Sequence, residues 1–117
     1  MGKLFAETIK MINLAQGKGF EIDNIKPVMF EAWMNAEKAF CNTACAVIAM
    51  WLRDNEKEHM RMLVFVDKMQ SGRYRAHVSY FGLLWRMPED MCRDSYELEW
   101  IAGLIHALEA LPPGAGE

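Results

Sequence analysis

Two cysteines, Cys41 and Cys45, lie four residues apart and therefore share one face of any helix that contains them. Thiolates are good zinc ligands, but a structural zinc site takes four ligands, and the sequence offers no second Cys or His pair at a suitable spacing. A buried cysteine otherwise behaves as a small hydrophobic residue. We therefore predict that this pair lies in the core and that the protein holds no metal and no cofactor.

Glutamate and histidine form two further motifs that could carry chemistry. Glu56 and His59 give an E-x-x-H motif, and His106 with Glu109 gives the reversed order. A di-iron bundle uses two E-x-x-H motifs and two more inward-facing glutamates, whereas Glu56 lies in a run of charges typical of a solvated face. No G-x-S-x-G elbow or glycine-rich phosphate loop is present. We predict that the protein is not an enzyme, and a metal carboxylate bundle is the function that we rank last.

The charges are unevenly distributed along the 117 residues. There are 13 basic and 16 acidic side chains, a net charge of −3. Residues 53–93 hold eight basic and six acidic side chains, and residues 94–117 hold five acidic side chains and no Lys or Arg. Neutralisation of phosphates drives most nucleic-acid affinity, so we do not expect a nucleic acid as the partner.

Helical periodicity predicts three elements that would position these side chains. The first is an N-terminal helix over residues 3–16. The second is a long central helix from residue 27 to about 53, apolar on nearly every side in its second half and therefore buried, with a potential break at Asn42-Thr43. The third is a C-terminal helical region that begins at Pro88-Glu89-Asp90, restarts at Asp94 as an amphipathic helix and ends at Pro112-Pro113.

Residues 60–81 decide the fold class. Residues 74–80 alternate strictly between polar and apolar types, and Gln70-Ser71-Gly72 suits a turn, which together favour a β-hairpin over about 62–80. Residues 20–22 could add a short third strand. The alternative is an all-α bundle with helices over 55–71 and 73–87. We predict a helix-dominated α+β fold and a single domain over 1–117.

Charged and aromatic side chains cluster near the predicted turn, where they could bind a partner. With helices before the hairpin and one after it, the order of elements resembles that of winged-helix proteins, which implies a dimeric DNA-binding regulator as an alternative function. In that case residues 39–52 would be the recognition helix, but they contain no Lys or Arg. The candidate partner-binding residues are Lys68, Arg73, Tyr74 and Arg75 at the turn, with Trp85 and Trp100 as apolar anchors.

The hydrophobic content of 52%, with ten methionines and four tryptophans, is more than one small core conceals. An exposed apolar patch marks a site for a partner or a second copy. We therefore predict a small intracellular protein that binds another protein, as an inhibitor, adaptor or accessory factor, a profile common among phage and plasmid proteins. Residues 95–111 are a candidate homodimer surface.

The same features bear on location in the cell. The longest apolar run, residues 44–52, is too short for a membrane span of about 20 residues. Three cysteines are an odd number, and no signal-peptide pattern opens the sequence. We expect a cytoplasmic protein without a membrane partner.

Overall fold

The predicted helix-dominated α+β fold is confirmed, and its three-stranded sheet has one helix packed on one side. The computed structural model describes residues 2–22, 26–54, 61–80 and 82–111. The described elements, in chain order, are α1 (Lys3–Gly17), α2 (Lys26–Asn35), α3 (Glu37–Asp54), β1 (Leu63–Lys68), β2 (Tyr74–Tyr80), β3 (Leu83–Arg86), a short 3₁₀ turn (Glu89–Met91) and α4 (Tyr96–Glu109).

The sheet is antiparallel, in the order β1-β2-β3. The hairpin predicted over about 62–80 is therefore confirmed, and the all-α alternative is wrong over residues 63–68 and 74–80. Gly72 has a φ of 91° and Gly82 a φ of 75°, the left-handed backbone that glycine supplies in tight turns. The third strand is β3 and not residues 20–22, because Phe20 is buried in the helical core against Trp51.

The predicted central helix is two helices, α2 and α3, which are separated at Ala36 and not near Asn42-Thr43. The burial predicted for nearly every side of its second half holds for only one face of α3, since Trp51 is half-buried and Met50 is 52% exposed. One face of α3 packs into the core through Phe40, Cys41, Ala44, Cys45, Ile48 and Leu52.

Helix α4 lies very close to the sheet at Gly103. A Cβ atom at this position would stand 2.9 Å from the Cβ of Ala76 and 3.0 Å from a methyl carbon of Val64. Contacts this short are closer than side-chain carbons tolerate, so only glycine permits this approach. We call the side of the sheet that meets α4 the inner face, and the opposite side the outer face.

The carboxylate of Glu99 on α4 is fully buried and completes the hydrogen bonding of the central strand. Past the end of β3, the N–H of Met87 donates to the carbonyl of Ala76, and the N–H of Tyr74 donates to the carbonyl of Arg93. Between these two bonds, the N–H of Ala76 donates to Oε2 of Glu99 at 2.7 Å, and Arg93 Nη1 lies 3.4 Å from Oε1. Glu99 therefore satisfies a buried backbone donor where β3 ends.

Candidate functional site

The outer face of the sheet carries large apolar side chains that the described helices leave uncovered. Leu63 is 53% exposed, Phe65 is 43% exposed and Leu84 is 48% exposed. Because side chains alternate between the two faces of a strand, the pairing register places all three on the face opposite Gly103. The outer face consists of Leu63, Phe65 and Asp67 on β1, Arg75, His77 and Ser79 on β2, and Leu84 and Arg86 on β3.

His77 forms the centre of the outer face. The ring of Phe65 stacks on its imidazole at a centroid distance of 4.7 Å, and Asp67 Oδ2 lies 3.3 Å from His77 Nε2. Burial lowers the pKa of His77, and the charges of Arg86 and Arg75 lower it further, against the opposing effect of Asp67. The Nδ1 atom is buried and has no hydrogen-bond partner among the described residues. The imidazole is therefore uncharged at neutral pH, and it stacks on the apolar ring of Phe65.

The four residues predicted at the turn do not form one basic tip. Lys68 and Tyr74 are brought together, with Lys68 Nζ 6.0 Å from the centroid of the Tyr74 ring. Arg75 lies on the outer face, where its Nε donates to the carbonyl of Met87 at 2.9 Å. Arg73 Nη1 donates to the carbonyl of Cys92, in the segment that precedes α4, at 3.4 Å. Neighbouring residues of β2 point to opposite faces, which separates Tyr74 from Arg75.

The two predicted tryptophan anchors lie on different surfaces. Trp100 continues a row of aromatic rings that runs from Tyr74 through Tyr96, with centroid distances of 5.6 Å and 5.8 Å between successive rings. Trp85 belongs to β3 and stacks on His106 at a centroid distance of 3.6 Å. Lys68, Tyr74 and Trp100 therefore share one region, whereas Trp85 does not belong to it.

The Trp85–His106 stack forms part of a groove of about 350 Å³ between α1, α4 and the segment after β3. Burial lowers the pKa of His106 and Glu109 opposes this effect, so the imidazole is neutral at neutral pH. Met91, which is largely exposed, adds a flexible apolar side chain to the wall. The rim carries both signs of charge, from Glu7, Lys10, Arg93 and Glu109.

A second cavity, of about 560 Å³, lies where α3 ends beside the start of β1. Its wall includes Arg53, Asp54, Arg61 and Ser79. Arg53 Nε is 3.0 Å from Asp54 Oδ1, and this hydrogen bond lowers the pKa of the Asp54 carboxyl. The arginine and aspartate are both exposed, so their pairing contributes little to the stability of the fold.

The predicted burial of the cysteine pair is confirmed. Cys41 Sγ and Cys45 Sγ are 3.9 Å apart in the core, and Cys45 Sγ is 4.0 Å from Met11 Sδ. The contact with Cys41, together with burial, raises the pKa of Cys45. Within the described ranges, no three His, Cys, Asp or Glu side chains are grouped to hold a metal ion. The motif of Glu56 and His59 lies outside the described residues.

The apolar stripe that suggested a homodimer through residues 95–111 is already used inside the chain. Ile101, Leu104 and Leu108 are buried between α4 and the other helices. A second copy could reach only the remaining side of this helix, which presents Tyr96 and Glu109. Of the eight large apolar side chains that are exposed among the described residues, four lie on β1 and β3 and only Tyr96 lies on α4.

None of the helices in the described part of the chain combines the length and hydropathy needed to cross a membrane. The chain matches no family model, no curated protein and no solved structure.

Proposed function

We propose that this is a non-enzymatic protein that binds another protein through the outer face of its sheet. The supporting observation is the contiguity of Leu63, Phe65 and Leu84. Leu63 and Leu84 both pair with Ser79 of the central strand, and Phe65 lies one step further along the same face. Large contiguous apolar surface on a small domain is typical of interaction sites.

The charges around this surface indicate the chemistry of the partner. The whole chain carries a net charge of −3, but the strand residues of the outer face carry more basic than acidic side chains. Arg75 and Arg86 stand on the outer face itself, and Asp67 is its only acidic member. A complementary partner surface would present aliphatic or aromatic anchors flanked by carboxylates, because opposite potentials favour association and orientation.

The class of protein that we propose is an inhibitor, adaptor or accessory factor of the kind that phages and plasmids encode. Such proteins act by covering a surface of their target, and this requires a binding face but no catalytic groups. We further propose a cytoplasmic location, which is supported by three cysteines that are all buried as free thiols.

The dimeric winged-helix regulator is less well supported by these observations. Its recognition helix would be residues 39–52, but Ile48 and Leu52 in this segment are buried in the core. Arg53 follows directly after the segment and is paired with Asp54. A helix packed in this way has no basic face to lay in a DNA groove. Binding of random duplex DNA at about 50 mM salt would revive this alternative.

The proposal is tested by affinity capture with the wild-type protein and two matched variants. Leu84→Glu places a charge on the outer face, and Met50→Glu places the same charge at an exposed methionine of α3. Circular dichroism first establishes that both variants keep the wild-type fold. We expect a partner that is retained by wild type and by Met50→Glu and lost with Leu84→Glu. A partner retained equally by all three proteins would contradict binding through the outer face.

A further inference from the structure

Strand β3 forms one edge of the sheet, and the direction of its backbone groups follows from its pairing with β2. Directly after the strand, Met87 donates its N–H to the carbonyl of Ala76. In an antiparallel pair, successive residues direct their N–H and C=O groups alternately towards and away from the partner strand. The N–H and C=O groups of Leu84 and Arg86 are therefore directed away from β2. Among the described residues, β3 pairs only with β2, and no backbone hydrogen bond occupies these outward groups.

The groove beside Trp85 lies on the inner side of this edge. Trp85 pairs with Val78 of β2, and its side chain points to the inner face because it alternates with the outer-face residues of the strand. A volume of about 350 Å³ lies near the lower end of the usual range for ligand pockets, so the groove suits a side chain and not a folded element. The apolar part of its wall consists of Trp85, Met87, Met91 and Ile105. A chain that extended the sheet beyond β3 would direct every second side chain towards this groove.

On the outer side of the same edge, β3 presents one charge and one apolar side chain. Arg86 is exposed, and no hydrogen bond or ion pair joins it to another of the described residues. Leu84, two residues away on the same face, is 48% exposed. In cross-strand pairs, opposite charges and matched apolar side chains stabilise a sheet. An added strand would therefore be favoured by a carboxylate opposite Arg86 and an aliphatic side chain opposite Leu84.

We propose that β3 binds an extended segment of a partner protein, which adds to this edge as an antiparallel fourth strand and places a large apolar side chain in the groove. From its N-terminal end, the segment has an acidic residue opposite Arg86, the large apolar residue opposite Trp85 and an aliphatic residue opposite Leu84. In this mode of binding, backbone hydrogen bonds supply affinity and pockets for alternate side chains supply specificity. The edge has only four residues, so the groove has to contribute much of the affinity. The inference rests on the proposed function only in taking the partner to be a protein.

The test uses a displayed library of short random peptides, selected on the wild-type protein, and an enriched peptide that is then synthesised for binding measurements. The enriched sequences should share an acidic, a large apolar and an aliphatic residue in that order. Methylation of the backbone nitrogen separates strand addition from other modes of binding. At the acidic or the aliphatic residue, it removes a donor to β3 and should weaken binding by about tenfold or more. At the large apolar residue, whose N–H points away from β3, it should leave the affinity unchanged.

Two protein variants test the part played by the groove. Met91→Glu places a charge in its wall, and Met50→Glu places the same charge at an exposed site on α3. Circular dichroism first establishes that both variants are folded. Met91→Glu should bind the peptide about tenfold or more weakly than wild type, because a carboxylate in the wall opposes burial of the apolar side chain. Met50→Glu should bind as wild type does.

Failure to enrich any peptide, or an affinity that does not depend on which nitrogen is methylated, would overturn the proposal. Equal binding by Met91→Glu and wild type would also overturn it, since the groove would then play no part. Sedimentation velocity tests a rival occupant: a dimer of the protein alone that the peptide dissociates would assign this edge to a second copy instead. None of these outcomes decides whether the outer face binds a protein, which the capture experiment with Leu84→Glu judges separately.

Discussion

Replacement of the buried carboxylate on α4 should destabilise the protein strongly. In Glu99→Ala, the N–H of Ala76 loses its acceptor inside the protein, and an unsatisfied buried donor costs about 1–3 kcal/mol. The cavity left by the missing side-chain atoms adds to this cost. Arg93 is partly exposed and can turn towards water, so its loss of a partner contributes little. We expect a decrease of about 2–4 kcal/mol in the free energy of unfolding.

Urea denaturation followed by circular dichroism measures this change. With a slope of about 2 kcal/mol per molar, in the middle of the usual range for small proteins in urea, the midpoint should fall by about 1–2 M. Glu99→Gln keeps an amide oxygen that can accept from Ala76 and should lose less stability than Glu99→Ala. Glu109→Ala is the matched control, because Glu109 lies on the same helix but is exposed, and a substitution at such a surface position changes stability by about 0.5 kcal/mol at most. A Glu99→Ala protein as stable as this control would refute the role assigned to Glu99.

Three other predictions can be checked by the same unfolding assay. Gly103→Ala should lower the free energy of unfolding by about 1–3 kcal/mol, because the added Cβ would overlap side chains of the sheet. Gly17→Ala is the control and should not lower it, because Gly17 has open space around it. Similar values for the two variants would contradict the close approach of α4. Ile48→Ala should lower the free energy of unfolding by about 2–5 kcal/mol, because Ile48 is fully buried in the core. Met50→Ala should lower it by less than about 0.5 kcal/mol, because Met50 is exposed. The reverse order would be inconsistent with the orientation of α3. Burial lowers the pKa of His77 in the folded protein, so the unfolded chain binds this proton more readily than the folded one. The stability that the neutral His77 contributes is therefore fully present above pH 6.5, the pKa in the unfolded chain, and is lost as the pH falls towards the lower pKa of the folded state. His77→Gln should flatten that part of the stability profile, and an unchanged profile would show that other groups cause it.

The fold could largely be predicted because its main elements leave periodic patterns. Strict alternation over residues 74–80 identified β2, and the apolar pattern over residues 27–53 identified helix there, although as one helix rather than as α2 and α3. Strand β3 was missed because it has only four residues and no alternation, and it becomes a strand through its pairing with β2. The break at Ala36 was also missed, since alanine carries no local signal for the end of a helix.

The candidate site was harder to predict because it depends on which face each strand side chain occupies. Charged and aromatic residues near Gly72 can be recognised from sequence, but their separation onto opposite faces requires the register of β1 and β2. The sequence also suggested that the apolar side of α4 could bind a second copy. A helix that packs between a sheet and other helices has the same spacing of apolar residues as a helix that forms a dimer, so the sequence does not distinguish the two. The sequence signal that could have indicated the outer face is the placement of Leu63 and Phe65 two residues apart in a strand, which puts both side chains on the same side.

The closeness of α4 to the sheet at Gly103 also limits how the outer face can respond to a bound molecule. With helix backbone almost touching strand side chains, β1 and β2 have no room to bend inward, and the carboxylate of Glu99 ties β2 to the same helix. The curvature of the sheet is therefore set before any encounter. A ligand has to match a rigid surface, and adjustment on binding is left to side chains such as Phe65 and Arg86.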